Sequence, residues 1–116
     1  MIERGQIYLA SLDPAVGSEQ GKVRPVVIVS NNAANDSASR RGRGVVTVVP
    51  ITSNVRAVYP FQVLLAKEQT GLPAHSKAQA EQVRSISTDR LVRPIARLTT
   101  ELMGRLDDAL RLHLSL

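Results

Sequence analysis

GSEQGKVRPVVIVS, Gly17 to Ser30, is the stretch whose reading decides the fold. Its second half, PVVIVS from Pro25, is β-branched on both faces, which reads as a strand buried on both sides. Pro25 is tolerated there because it sits at the strand start. Its first half is a polar loop in which Gly17 and Gly21 bracket Ser18, Glu19 and Gln20, and glycine gives such a loop the freedom of a hinge. Proline holds the residue before it in extended geometry, so Arg24 leaves a loop and enters a rigid strand start. Two readings stay open at this point: a solvated hairpin loop with a surface arginine, or a mobile lid over an anionic site.

Upstream, Gln6 to Leu12 alternates as a strand, and Asp13-Pro14 stops it. Downstream, Asn31 to Gly44 is polar and glycine-punctuated, with a helical turn expected over Asn32 to Ala38. Arg40, Arg41 and Arg43 follow, a charge run that reads as a solvated loop or an RNA contact. Val45 to Ile51 is a third strand that must bulge or end at Pro50, and Asn54 to Pro60 turns the chain. Phe61 to Leu65 is a fourth strand, Lys67 to Pro73 a loop, and Ser76 to Ser87 a single fifth strand with a polar face. Thr88 to Val92 suits a short helical turn ended by Pro94, and Ile95 to Leu98 a short final strand. Thr100 to Leu114 is a helix capped by Thr99 or Thr100, whose Leu102, Leu106, Leu110 and Leu114 stripe packs on the sheet. Five or six short strands and a C-terminal helix predict a mainly β chain: a small, strongly curved antiparallel barrel in a single domain, residues 1–116.

Composition narrows the chemistry. The chain carries 15 Lys and Arg against 10 Asp and Glu, a net charge of +5, and no cysteine. Disulfide scaffolds, thiolate catalysis and zinc–cysteine sites are excluded. The basic excess is mostly arginine, which contacts phosphate through a bidentate fork, so nucleic acid or an acidic protein is the natural partner. Tyr8, Tyr59 and Phe61 are the only aromatic residues, too few for binding built on base stacking. His75 and His113 stand apart with no metal-ligand spacing. No signal peptide or membrane span is recognisable, so cytoplasmic residence is the expectation.

A polar set remains at strand ends: Glu19, Gln20, Arg24, Thr52, Ser53, Gln79, Glu81, Gln82 and Arg84. If the second and third strands are antiparallel neighbours, Arg24 and Thr52 fall at the same sheet end. An arginine, a hydroxyl and a carboxylate suit RNA cleavage by the ribose 2′-OH, a reaction that needs neither a metal nor a protein nucleophile. The guanidinium stabilises charge building on the phosphorane. The hydroxyl and amides hold the phosphate in line.

RGQIYLASLDPAVGSEQGKVRPVVIVSNNAAN, VVPITSN, YPFQVLL and AEQVRSIS, in that order, resemble the MazF/PemK toxins of bacterial toxin–antitoxin pairs. The resemblance implies an SH3-like barrel with a C-terminal helix, and an endoribonuclease that cuts single-stranded RNA to 2′,3′-cyclic phosphate and 5′-OH ends without cofactor or metal. It assigns catalysis to Arg24 and Thr52, with Glu19 as first candidate for the general base and Glu81 as second. It places Ser18, Gln20, Lys22, Ser53, Asn54, Arg56, Gln79, Gln82 and Arg84 along the RNA. Arg40, Arg41, Arg43 and Val55 are further candidates for base readout. Two departures stand out: Val23 lies where some members carry histidine, and Glu81 where others carry aspartate. The implied partners are RNA, a second copy of the chain, and a small antitoxin whose acidic, flexible tail fills the RNA groove. Operator DNA is reached only through the antitoxin complex, and no membrane is involved. The dimer face is expected at Thr88 to Val92 and Thr100 to Leu114, and Gly17 to Lys22 is expected to be a flap that orders when the groove fills. Two alternatives are a non-enzymatic poison of a protein such as gyrase, like CcdB, and a partner that binds only antitoxin and operator DNA.

Overall fold

The doubly apolar stretch forms β2, Val23–Ile28, which runs antiparallel between β1, Gln6–Ser11, and β3, Val45–Thr52. The structure is a computed structural model that describes residues 1–116. β7, Leu91–Arg97, covers the other side of β1. Along its first half β3 also pairs β6, Arg84–Ser87, and at its end it pairs β5, Ser76–Gln79, which in turn pairs β4, Gln62–Leu65. The seven strands follow the order β4-β5-β3-β2-β1-β7, with β6 branching from β3. A short 3₁₀ turn, Thr88–Arg90, carries β6 into β7.

Strand alternation sends neighbouring residues to two different cores. Tyr8, Ala10, Val26, Ile28, Val46, Val48 and Ile86 fill the inside of the curled sheet. Ile7, Val27, Val49 and Ile51 face the other way, where α3, Thr100–Leu114, packs Leu102, Leu106 and Ala109 against them. This is why PVVIVS carries no polar face. Burying each such aliphatic side chain is worth about 1.5–3 kcal/mol. Burial also pushes the Tyr8 phenol above its ordinary range, with the Glu3 carboxylate adding to the effect, so it stays neutral in the inner core.

α3 has the predicted bounds, and the Thr99 side chain accepts from the Leu102 amide at 3.1 Å as its N-cap. Arg4 fastens it to the barrel, donating to Asp107 at 2.5 Å and to the Val29 carbonyl at 2.9 Å. The leucine stripe stops short, however: Leu114 is half exposed. No helix is long and apolar enough to cross a membrane.

Several segments differ from expectation. Ser76 to Ser87 is not one strand: a 3₁₀ turn, Ala80–Gln82, separates β5 from β6, since the two pair with different parts of β3. β3 neither bulges nor ends at Pro50. Pro50 pairs Val26 of β2, and on its other side it falls in the gap between the last β6 pair, Val48 with Arg84, and the first β5 pair, Ile51 with Ala78. The turn after Asn31 grows into α1, Asn32–Arg41, because Asn31 caps its start and Gly42, at φ +66°, closes its end. Asn35 of this helix is fully buried and satisfied by the Ser30 hydroxyl and carbonyl. Lys67–Thr70 makes a helical turn, α2, where a plain loop was expected, and His75 Nδ1 accepts from the Lys67 amide at its start. The final strand begins at Leu91 and includes Pro94, which an edge strand tolerates.

Candidate active site

Arg24 lies opposite Ala10 in the β1–β2 ladder, at the end of β2 where the polar loop arrives. The last β2–β3 pair is Val26 with Pro50, and the same register carried two residues further sets Arg24 opposite Thr52. Both residues therefore lie past the same end of the β2–β3 ladder, beyond its last pair. Arg24 is half-buried, and its Nε donates to the Gly21 carbonyl at 3.0 Å. That bond holds the plane of the guanidinium and leaves both Nη groups for a ligand. Thr52 is buried, and its Oγ1 accepts from the Asn54 amide at 3.2 Å, which leaves its hydroxyl proton to donate.

The loop before Arg24 is fastened. The Leu12 amide donates to the Lys22 carbonyl at 2.8 Å, and the Lys22 amide to Asp13 Oδ1 at 2.7 Å. Arg90 donates to the carbonyls of Ser11 and Asp13. The two glycines serve different ends. Gly17 takes a left-handed φ of +60°, whereas a Cβ on Gly21 would sit 2.6 Å from Asp13 Oδ1 and 2.8 Å from Ala15 Cβ. Only the tip is held loosely. Gln82 accepts from the Gln20 amide and donates to the Ser18 carbonyl, both at 3.4 Å. The expected free flap is thus braced at its base and stitched at its tip, and the stitch places Ser18 and Gln20 beside the Ala80–Gln82 turn. Lys22, at φ +64°, keeps an exposed side chain at the loop's exit.

That turn carries the second half of the site. Glu81 Oε2 accepts from Gln62 Nε2 at 2.7 Å, and Gln62 lies opposite Gln79 in the β4–β5 ladder. Three polar atoms here are buried without a partner: Gln79 Oε1, Glu81 Oε1 and Arg84 Nη1. Each such group costs about 1–3 kcal/mol until something bonds it. A carbonyl, a carboxylate oxygen and a guanidinium nitrogen thus lie buried without partners within one short stretch of sequence.

Other candidates lie elsewhere. Glu19 is exposed, and its Oε1 accepts from the Val16 amide at 2.7 Å, so it braces its own loop. Ser53, Asn54, Val55 and Arg56 form the start of the segment that leaves Thr52. There the Arg56 amide donates to Asn54 Oδ1 at 3.3 Å. Arg40, Arg41 and Arg43 precede Val45, the far end of β3 from Thr52, on the order of 20 Å away along the strand. Gln62 and Lys77 were not anticipated. Both are polar and buried, and Lys77 lies opposite Thr52. Their sole sequence signal was the polar alternation of SKAQ beside FQVLL.

Known proteins resemble this chain along nearly its whole length. The PemK-like, MazF-like toxins of type II toxin–antitoxin systems match residues 3–114. The endoribonuclease MazF9 of Mycobacterium tuberculosis is 58% identical over 116 residues, covering 100% of this chain and 98% of that protein. The endoribonuclease EndoA of Bacillus subtilis is 36% identical over 117 residues, covering 100% and 97%. Among solved structures, a mycobacterial endoribonuclease in complex with its cognate antitoxin superposes with a TM-score of 0.78 at 26% identity, over 100% of this chain and 97% of that one. MazF from Deinococcus radiodurans shares the fold with a TM-score of 0.83 at 23% identity, over 99% and 97%. With the family matched along nearly its whole length and the fold shared throughout, this chain belongs to the PemK-like, MazF-like toxins of type II toxin–antitoxin systems.

Proposed function

We propose that this chain is a single-domain toxin that cuts single-stranded RNA by attack of a ribose 2′-OH on the adjacent phosphorus. The P–O5′ bond breaks, leaving a 2′,3′-cyclic phosphate on one product and a 5′-OH on the other. The observation that carries the reading is that Arg24 and Thr52 lie past the same end of the β2–β3 ladder, where β3 takes up β5, the strand that leads into the turn bearing Glu81. Arg24 neutralises the phosphorane, and Thr52 donates to a non-bridging oxygen. Glu81 takes the 2′-OH proton as general base. Ser18, Gln20, Lys22, Ser53, Asn54, Arg56, Gln79, Gln82 and Arg84 line the path of the strand. The endoribonuclease names of the two relatives support the same reaction.

The antitoxin is the second partner. A mycobacterial neighbour was solved with its cognate antitoxin, and an acidic tail suits the excess of positive charge in this chain. The test uses one long defined RNA with EDTA present. Cleavage at a short recurring word, with cyclic phosphate and 5′-OH ends, is expected, as is protection by an acidic antitoxin that weakens as salt rises. Intact RNA, or 3′-OH ends, would rule the reaction out. We also propose a homodimer. Leu112 and Leu114 at the end of α3, and Val92 and Ile95 on the edge strand β7, remain exposed and apolar. Sedimentation should give twice the 12.6 kDa chain mass at micromolar concentration, and a monomer there would refute it. A gyrase-type poison and a silent DNA-binding partner have no structural observation in their favour.

A further inference from the structure

We propose that Lys77 is a positioning residue: it clamps the Ser53–Pro60 segment against the site and thereby sets how sharply the enzyme discriminates between RNA words. The inference rests on the nuclease reading of the groove. Lys77 keeps only 7% of its surface, yet it takes part in no ion pair. Lysine is almost never buried unless paired. Here Nζ donates to the Ala57 carbonyl at 2.5 Å and stands 5.9 Å from the centre of the Tyr59 ring. Tyr59 is stacked in turn on Phe61, with ring centres 5.6 Å apart and planes within 7°. Cation–π attraction and one charge-assisted hydrogen bond are what compensate the desolvated ammonium.

The location gives the clamp its consequence. Lys77 lies opposite Thr52 on one side and Leu64 on the other. The segment it holds starts at the residue after Thr52. At its far end the Tyr59 amide donates to Gln62 Oε1 at 3.1 Å, and Gln62 holds Glu81. Between Asn54 and Tyr59, the bond from Lys77 is the only hydrogen bond to another element. Asn54 and Arg56 are exposed on this segment, with side-chain groups that can read base edges. An apolar side chain of similar length would fill the space without burying a charge. What the ammonium adds is a fixed place for Ala57, and with it a fixed wall beside Thr52.

The test compares wild type, Lys77→Met, Lys77→Arg and Tyr59→Leu on one long defined RNA. It measures kcat and KM for the preferred word and its single-base mismatches, and amide hydrogen exchange over residues 54–60. Lys77→Met is expected to lower discrimination about tenfold and to speed exchange in the segment. Tyr59→Leu should shift both readouts the same way by less, and Lys77→Arg should restore them. Unchanged ranking of words with unchanged exchange in Lys77→Met would overturn the clamp. Tyr59 is more than half exposed, so Tyr59→Leu leaves the fold standing, and the same null result there overturns it equally. If wild type leaves RNA intact, the nuclease reading falls, while the exchange comparison still decides whether Lys77 holds the segment.

Discussion

Replacing Arg24 by alanine should lower RNA cleavage by about 10²–10³-fold while the protein remains folded. The rate effect follows from charge. The phosphorane gains negative charge that the ground-state phosphate lacks, and a pre-aimed guanidinium stabilises that gain selectively. The small effect on folding follows from placement. Arg24 belongs to neither hydrophobic core, and its one bond to the chain, from Nε to the Gly21 carbonyl, is worth about 1 kcal/mol. Arg24→Lys should recover only part of the loss, because an ammonium cannot present two parallel donors to one phosphate. Single-turnover cleavage beside a thermal melt checks both halves. Full activity in a folded Arg24→Ala would remove the mechanism.

Glu81→Gln should cost about 10²–10³-fold in kcat, a typical loss for a general base. The amide keeps the shape of the carboxylate and an oxygen for Gln62 Nε2, so the Ala80–Gln82 turn should persist. Glu19→Gln should cost much less. Sequence reasoning ranked Glu19 first, because it sits in the loop beside Arg24. Glu19 sits on an exposed loop tip, where its Oε1 accepts from the Val16 amide, whereas Glu81 is half-buried on a short turn and held there by Gln62. A carboxylate held in a fixed place suits proton transfer better than one on an exposed loop tip. Measured kcat values for the two variants decide the order, and a deeper loss in Glu19→Gln would reverse it.

Lys77 extends the same argument from chemistry to selectivity. Arg24, Thr52 and Glu81 touch the reacting atoms in the proposed reaction, whereas Lys77 and Gln62 act through the segment they hold. The first set should change rate on every RNA, and the second should change which RNA is preferred.

The strands and helix were legible because their signals are local. PVVIVS is β-branched on every residue but its ends, and the Thr99 cap with a leucine every fourth residue marks α3. Arg24 and Thr52 could be brought together on paper, since antiparallel neighbours joined by one connection leave few registers open. The errors fell where a segment answers to more than one neighbour. Ser76 to Ser87 alternates like a single strand, but its halves pair with different ends of β3, and only that division creates the turn that aims Glu81 and Gln82. Pro50 looked like a strand end until β3 was seen to change partners there.

By itself, the sequence determined the mainly β fold, the C-terminal helix and the family. Only the tertiary structure decided that Glu81 is held by Gln62 on a short turn, that Glu19 braces its own loop, that Arg40, Arg41 and Arg43 precede the end of β3 far from Thr52, and that a lysine is buried opposite Thr52. The physical reason is the range of each signal. Periodicity along a strand reports which face a side chain takes, whereas its hydrogen-bond partner is set by whichever distant strand or turn is brought opposite it.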